Sequence, residues 1–229
     1  MQSCQWDRDN NEPLTSVPHI MDIAGGKGEL AARLTICHKV NVVMIDPRKA
    51  DVPACFMKNV YGSLPKKWQE RISEKGSEDL VSQEVGCRFK QLVRNFDEQS
   101  IKSCLELQNA VTCAKLLVGM HADGATESIV DIALKFRKPF VVVPCCVFPN
   151  FFRERLVVDE DTGNTVPVRS HKQFCQYLKN KDSHFVMEVL PFEGRNVGVW
   201  WDGKICDSDL NCDEISIVNS TVNKQSNCS

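Results

Sequence analysis

Pro18-His-Ile-Met-Asp-Ile-Ala-Gly-Gly-Lys-Gly-Glu-Leu-Ala-Ala-Arg-Leu34 decides how this chain folds: an apolar strand runs through an acidic residue into a glycine-rich turn and on into a helix. Ile20, Ile23 and Ala24 are what a strand buried on both faces carries. Gly25, Gly26 and Gly28 let the backbone turn sharply and approach a ligand closely. Asp22 is the discriminating residue. A carboxylate just before the turn repels a pyrophosphate but accepts hydrogen bonds from an amino acid ammonium or from ribose hydroxyls, so the pattern favours a ligand without phosphates.

The second marker is Val40-Asn-Val-Val-Met-Ile-Asp-Pro-Arg48, a buried strand ending in Asp46, where doubly wound folds place an acid against ribose hydroxyls. Gly26-x-Gly28-x-x-Ala31 also satisfies the dinucleotide fingerprint, which is weak when it stands alone. A nicotinamide enzyme is therefore a competing reading, although such enzymes usually carry an apolar residue at the place of Asp22.

Strand and helix patterns then alternate. Residues 63–84 read as helical, Phe89–Arg94 as a third strand, 98–110 as a helix, Ala114–His121 as a fourth strand, 124–137 as a helix and Pro139–Pro144 as a fifth strand. His184–Leu190 and Asn196–Trp201, split by a segment containing Pro191 and Gly194, give a hairpin signal. The expected fold is α/β: a Rossmann-like, doubly wound, seven-stranded, mostly parallel sheet closed by a C-terminal antiparallel hairpin. One domain spans 17–206, between a loose amino terminus (1–16) and a polar tail (207–229).

Together the two markers resemble the class I S-adenosylmethionine-dependent methyltransferases. That resemblance implies contacts from Asp22, Ala24, Gly25, Gly26 and Gly28 to the methionine and ribose side of the cofactor. Asp46 would then hold the ribose hydroxyls and Asp97 the adenine amino group. Asp97 reads equally well as a helix N-cap. The family's sheet also ends in an inserted antiparallel strand, as the hairpin signal suggests here.

Beyond the fourth and fifth strands lie Gly119-Met-His-Ala-Asp-Gly-Ala-Thr-Glu127 and Val143-Pro-Cys-Cys-Val-Phe-Pro149. They are similar to a narrower group with His-x-Cys-Gly-x-Ala-Thr and Cys-Cys signatures, which includes eukaryotic tRNA ribose methyltransferases and a glutathione S-transferase C-terminal-domain-containing protein. Asp123 stands where that group has cysteine, and one residue is missing between the glycine and the alanine. The zinc-binding modules of the tRNA enzymes have no counterpart in this sequence. The functional reading makes His121 a general base for a ribose hydroxyl or a substrate hydrogen-bonder, with Asp123 orienting it or taking the proton. Each has a plainer reading, His121 as a backbone hydrogen-bonder and Asp123 as a helix cap. Cys145, Cys146 and Phe148 are expected to contact substrate, or merely to pack.

Arg137, Lys138, Arg153, Arg155, Arg169, His171 and Lys172, interleaved with Phe148, Phe151 and Phe152, suggest a local basic and aromatic path for RNA. The alternative is a solvated face over core phenylalanines. A net charge of −2 gives no global attraction to nucleic acid, so any such contact must be local. Twelve cysteines without C-x-x-C spacing point to free thiols in a reducing compartment, cytoplasmic or nuclear, and to no metal site. Neither a signal sequence nor a membrane-spanning apolar run is expected. A small-molecule or protein methyltransferase, or an inactive methyltransferase-fold interaction subunit, remains the alternative function.

Overall fold

A computed structural model of the chain describes residues 13–74, 77–159 and 162–204. Residues 1–12 and the tail read at 207–229 lie outside the described residues. Leu14–Ser16 forms a single 3-10 turn with Thr15 buried, so part of the segment expected to be loose is packed.

The first half alternates as expected. It comprises β1 (His19–Ile23), α1 (Glu29–Ala32) prolonged by a π-helical Arg33–Cys37, β2 (Val42–Ile45), α2 (Val52–Cys55) prolonged by a π-helical Phe56–Val60, α3 (Lys66–Glu74), α4 (Ser77–Arg88) and β3 (Phe89–Leu92). Next come α5 (Glu98–Ser103), α6 (Leu105–Cys113), β4 (Ala114–Met120), α7 (Thr126–Phe136) and β5 (Phe140–Val143). The chain continues through β6 (Leu156–Val158), β7 (Thr165–Pro167), α8 (His171–Lys179), β8 (Val186–Val189) and β9 (Val197–Trp201).

Seven strands form one mixed sheet in the order β3-β2-β1-β4-β5-β9-β8. The strands β1 to β5 run parallel, and β9 lies antiparallel to both β5 and β8. All four residues of β2 are buried because helices cover both faces: Val43 and Ile45 join one core cluster, Val42 and Met44 the other. Leu107 and Val111 of α6, with Ile129 and Ala133 of α7, fill the first face. Ala32, Ile36, Val52 and Phe56 fill a cluster built on α1, α2 and their π-helical extensions.

Two features differ from expectation. The helix read over 98–110 is broken at Cys104, whose backbone is extended (φ −135°, ψ 105°). The Gln108 side-chain amide donates to the Ile101 and Lys102 carbonyls there, compensating the lost helical bonds. The pair β6–β7 is a separate two-stranded sheet whose three-residue strands are too short for an alternation signal. No described helix is long and apolar enough to cross a membrane. The eight described cysteines are all free. Among them Cys55 and Cys175 are buried, while Cys37, Cys104 and Cys113 are half-buried.

From β1 the chain moves outward to β2 and β3, then returns to β4 on the other side of β1. The connections leaving β1 and β4 therefore diverge at the carboxyl edge of the sheet, opening a crevice where open α/β sheets bind ligands.

Candidate functional site

The glycine turn forms the floor of this crevice. Ala24 and Gly26 have left-handed backbones (φ 55° and 59°), and so does Gly28 (φ 83°) at the start of α1. At Gly26 a side chain would meet nothing within 4 Å, so that position faces open space. At Gly25 a Cβ would lie 2.7 Å from Asp22 Oδ2 and 2.7 Å from Met44 Cγ, so only glycine fits. Asp22 itself is buried, and its Oδ2 has no partner among the described residues. Burial pushes its carboxyl up to about 7, the Ala31 N–H opposes this, and the nearby Asp46 charge adds to it.

Asp46, at the end of β2, is buried with both oxygens engaged. Its Oδ2 accepts the Gly26 N–H at 3.0 Å, which ties the second strand to the glycine turn. Arg48 covers it from solvent: the backbone N–H reaches Oδ1 at 2.8 Å, Nε reaches Oδ1 at 3.1 Å and Nη2 reaches Oδ2 at 3.3 Å. Burial alone would raise the Asp46 carboxyl, but the Arg48 and Gly26 bonds outweigh it and hold it below the ordinary range. Asp97 follows β3 on the same edge, and its Oδ1 accepts the Ser100 N–H at 2.7 Å, so it caps α5.

The far wall comes from β4 and β5. Gly119 lets α7 close on the sheet, since a Cβ there would lie 2.4 Å from Ile129 Cδ1. The His121 N–H donates to the Val143 carbonyl at 3.1 Å, joining the two strand ends, and its side chain is exposed. Among the described residues no side-chain hydrogen bond joins Asp123 to His121. Asp123 Oδ1 instead accepts the Cys145 S–H at 3.1 Å, and Cys145 Sγ lies 3.5 Å from Cys146 Sγ. Nor does the Asp123 side chain cap a helix: the N-caps of the 3-10 turn Asp123–Ala125 and of α7 are Ala122 and Ala125. Burial and the Asp123 carboxylate push the Cys145 thiol up to about 12, which keeps it protonated and unsuited to nucleophilic attack.

Left-handed backbones cluster here. Besides Ala24, the non-glycine residues His121 (φ 55°), Asp123 (φ 47°) and Phe148 (φ 50°) adopt them, all after the carboxyl ends of β1, β4 and β5. Such strain costs about 1–2 kcal/mol per residue and gathers at ligand sites.

The basic path divides. Arg137 and Lys138 precede β5, and in a parallel sheet that end lies on the edge opposite the crevice; Lys138 Nζ is bonded to the Thr112 carbonyl. Arg155 is buried and faces inward. Its Nε bonds Glu127 Oε2 at 2.6 Å, its Nη1 bonds the Val147 carbonyl at 2.9 Å, and its guanidinium lies 3.6 Å from the Phe152 ring centroid. Glu127 Oε1 also accepts from the Tyr177 hydroxyl at 2.5 Å and from Lys181 Nζ at 2.7 Å. This network clamps the segment after β5 to α7 and α8. His171 Nε2 lies 2.9 Å from the Pro144 carbonyl and extends the clamp. Arg153 and Arg169 remain exposed, on the walls of a cleft of about 450 Å³ that also includes Phe152, Pro149, Pro167 and Val168.

Sequence reasoning did not single out Arg48 or Glu127. The first had a signal, because an Asp side chain readily bonds the backbone two residues on. The second had none, since its partners lie 28 to 54 residues away. No family model matches this chain, and no curated protein matches it.

Proposed function

We propose that this protein binds S-adenosylmethionine at the carboxyl edge of β1 and β2 and transfers its methyl group to an RNA ribose hydroxyl. The observation that carries the reading is the junction of an acid at the end of β2 with the glycine turn after β1, made by the Asp46 to Gly26 bond beside the crevice. The strand order, with β9 inserted antiparallel between β5 and β8, supports a Rossmann-like, doubly wound sheet closed by a hairpin.

The donor set fits the cofactor. Asp22 offers an orphaned carboxylate oxygen beside a glycine whose lack of a side chain keeps that flank clear. The open face of Gly26 allows close backbone approach. Asp46 supplies two acceptor oxygens for a ribose diol once the Arg48 side chain, 78% exposed, swings into water. Asp97 keeps its second oxygen for an adenine amino group. The Asp22 carboxylate beneath the glycine turn argues against a dinucleotide, because its ionised form would repel a pyrophosphate there.

When bound, S-adenosylmethionine supplies a methyl made electrophilic by its sulfonium, so positioning an acceptor in line accounts for much of the rate. His121, exposed on the β4 side, is placed by its backbone bond to β5 and takes the acceptor proton. Cys145, Cys146 and Phe148 line the acceptor side, and the cleft bearing Arg153 and Arg169 supports RNA as the acceptor.

The test is transfer of labelled methyl to fractionated cell extract. Label in RNA, recovered as 2′-O-methylnucleosides after nuclease digestion, is the expected result. Label in the protein or low-mass fraction would reassign the acceptor. Cofactor binding without any transfer would favour an interaction subunit.

A further inference from the structure

We propose that Asp123, Cys145 and Cys146 bind a thiophilic divalent cation of the zinc class, with one coordination position left to solvent. Their donor atoms all lie within 4.8 Å of one another. Cys145 Sγ stands 3.1 Å from Asp123 Oδ1 and 3.5 Å from Cys146 Sγ. Tetrahedral zinc, with Zn–S of about 2.3 Å and Zn–O of about 2.1 Å, needs S···S and S···O edges of roughly 3.8 and 3.6 Å. The two edges at Cys145 lie within about half an ångström of that geometry, and the third, from Asp123 to Cys146, is no longer than 4.8 Å.

The fold brings them together. Asp123 belongs to the turn after β4 and the cysteines to the segment after β5, 22 residues on. The neighbouring strand ends are joined by the His121 to Val143 bond, and the His171 contact fixes Pro144 immediately before the cysteines. Two sulfurs and one oxygen select zinc-class ions over magnesium or calcium. Three protein ligands with a fourth position open is the pattern of a reactive rather than a structural zinc. The two thiolates and one carboxylate around a divalent ion leave a net charge of −1, and Arg48 lies within electrostatic reach of Asp123 to offset it. Binding displaces both thiol protons, one of which Cys145 now donates to Asp123 Oδ1. Zinc motifs recognised by short cysteine spacing do not include such a site, because its ligands come from two strand ends. The proposal rests on these donors and is independent of the methyl-transfer reading.

The test is titration of the reduced full chain with cobalt(II), followed by zinc(II). One equivalent of cobalt should develop thiolate charge-transfer absorption and the intense visible bands of tetrahedral cobalt. Zinc should then displace it stoichiometrically, with two protons released per metal in weak buffer. The double variant Cys145→Ser/Cys146→Ser should lose the spectrum. Asp123→Asn should keep part of it and bind more than about tenfold more weakly. Absence of stoichiometric cobalt binding overturns the proposal, as does an unchanged spectrum in the folded double variant. If the double variant does not fold, wild-type affinity and spectrum in Asp123→Asn overturn it equally.

Discussion

Asp22 sits with one oxygen unpartnered in the core, and its carboxyl is pushed up to about 7 by burial. A folded value above the unfolded one means that the native state holds the proton more tightly. Stability therefore falls as pH rises from about 4 to about 7, and above that the cost is fully present, on the order of 4 kcal/mol. Asp22→Asn should accordingly raise the Tm at pH 8 and change it little at pH 4; equal shifts at both would contradict the buried-carboxylate account. The ionised form is the better acceptor, so cofactor affinity should increase with pH through the same window, with proton release seen as buffer-dependent heats in calorimetry. At Asp46 the contest is with Arg48. Arg48→Ala should leave S-adenosylmethionine affinity equal or tighter, because it removes a competitor for the two oxygens; a tenfold loss would make Arg48 part of the binding site. The places of Asp22 and Asp46 at the carboxyl ends of β1 and β2 were legible in the sequence. The burial of Asp22 beside Gly25 and the cover of Asp46 by Arg48 were not, because both depend on side chains packed across neighbouring elements.

At the scale of elements, the glycine turn and the clamp after β5 separate binding from stability. Gly26→Val forces a β-branched side chain into a left-handed backbone, costing about 1–2 kcal/mol, and fills the open space a ligand would occupy. It should fold with a lowered Tm and fail to bind cofactor; normal binding would exclude the turn from the site. Arg155→Ala leaves Glu127 with only part of its partners and removes the cation over Phe152, so urea unfolding should show a loss of about 3 kcal/mol. Arg153→Ala should stay within about 0.5 kcal/mol of the parent. Sequence pattern could not tell these two arginines apart, since two residues of separation say nothing of inward or outward direction in an irregular segment. It did find α7, whose Ile129, Ile132 and Ala133 are buried at helical spacing. It missed the break at Cys104, which depends on Gln108 reaching back to two carbonyls.

Across the whole molecule, the alternating pattern predicted the parallel strands, most clearly β2 and β5, which are apolar runs bounded by turns, and least clearly β3, Phe89-Lys-Gln-Leu92. The position of β9 between β5 and β8 was the less legible part, since local sequence does not encode which strand a hairpin joins. A net charge of −2 puts any RNA affinity on local cations. If Arg153 and Arg169 each neutralise one phosphate, replacing both with alanine should flatten the slope of log affinity against log salt by about 1.4 for single-stranded RNA, while an unchanged slope would remove the cleft from the RNA path. The acceptor question depends on the cofactor, and the most direct measurement is calorimetric titration of the full chain with S-adenosylmethionine, S-adenosylhomocysteine and NAD, with Asp46→Ala as control. The account predicts saturable binding of the first two, lost in the variant, and none of NAD. Binding of NAD alone, or wild-type binding of S-adenosylmethionine by Asp46→Ala, would contradict it.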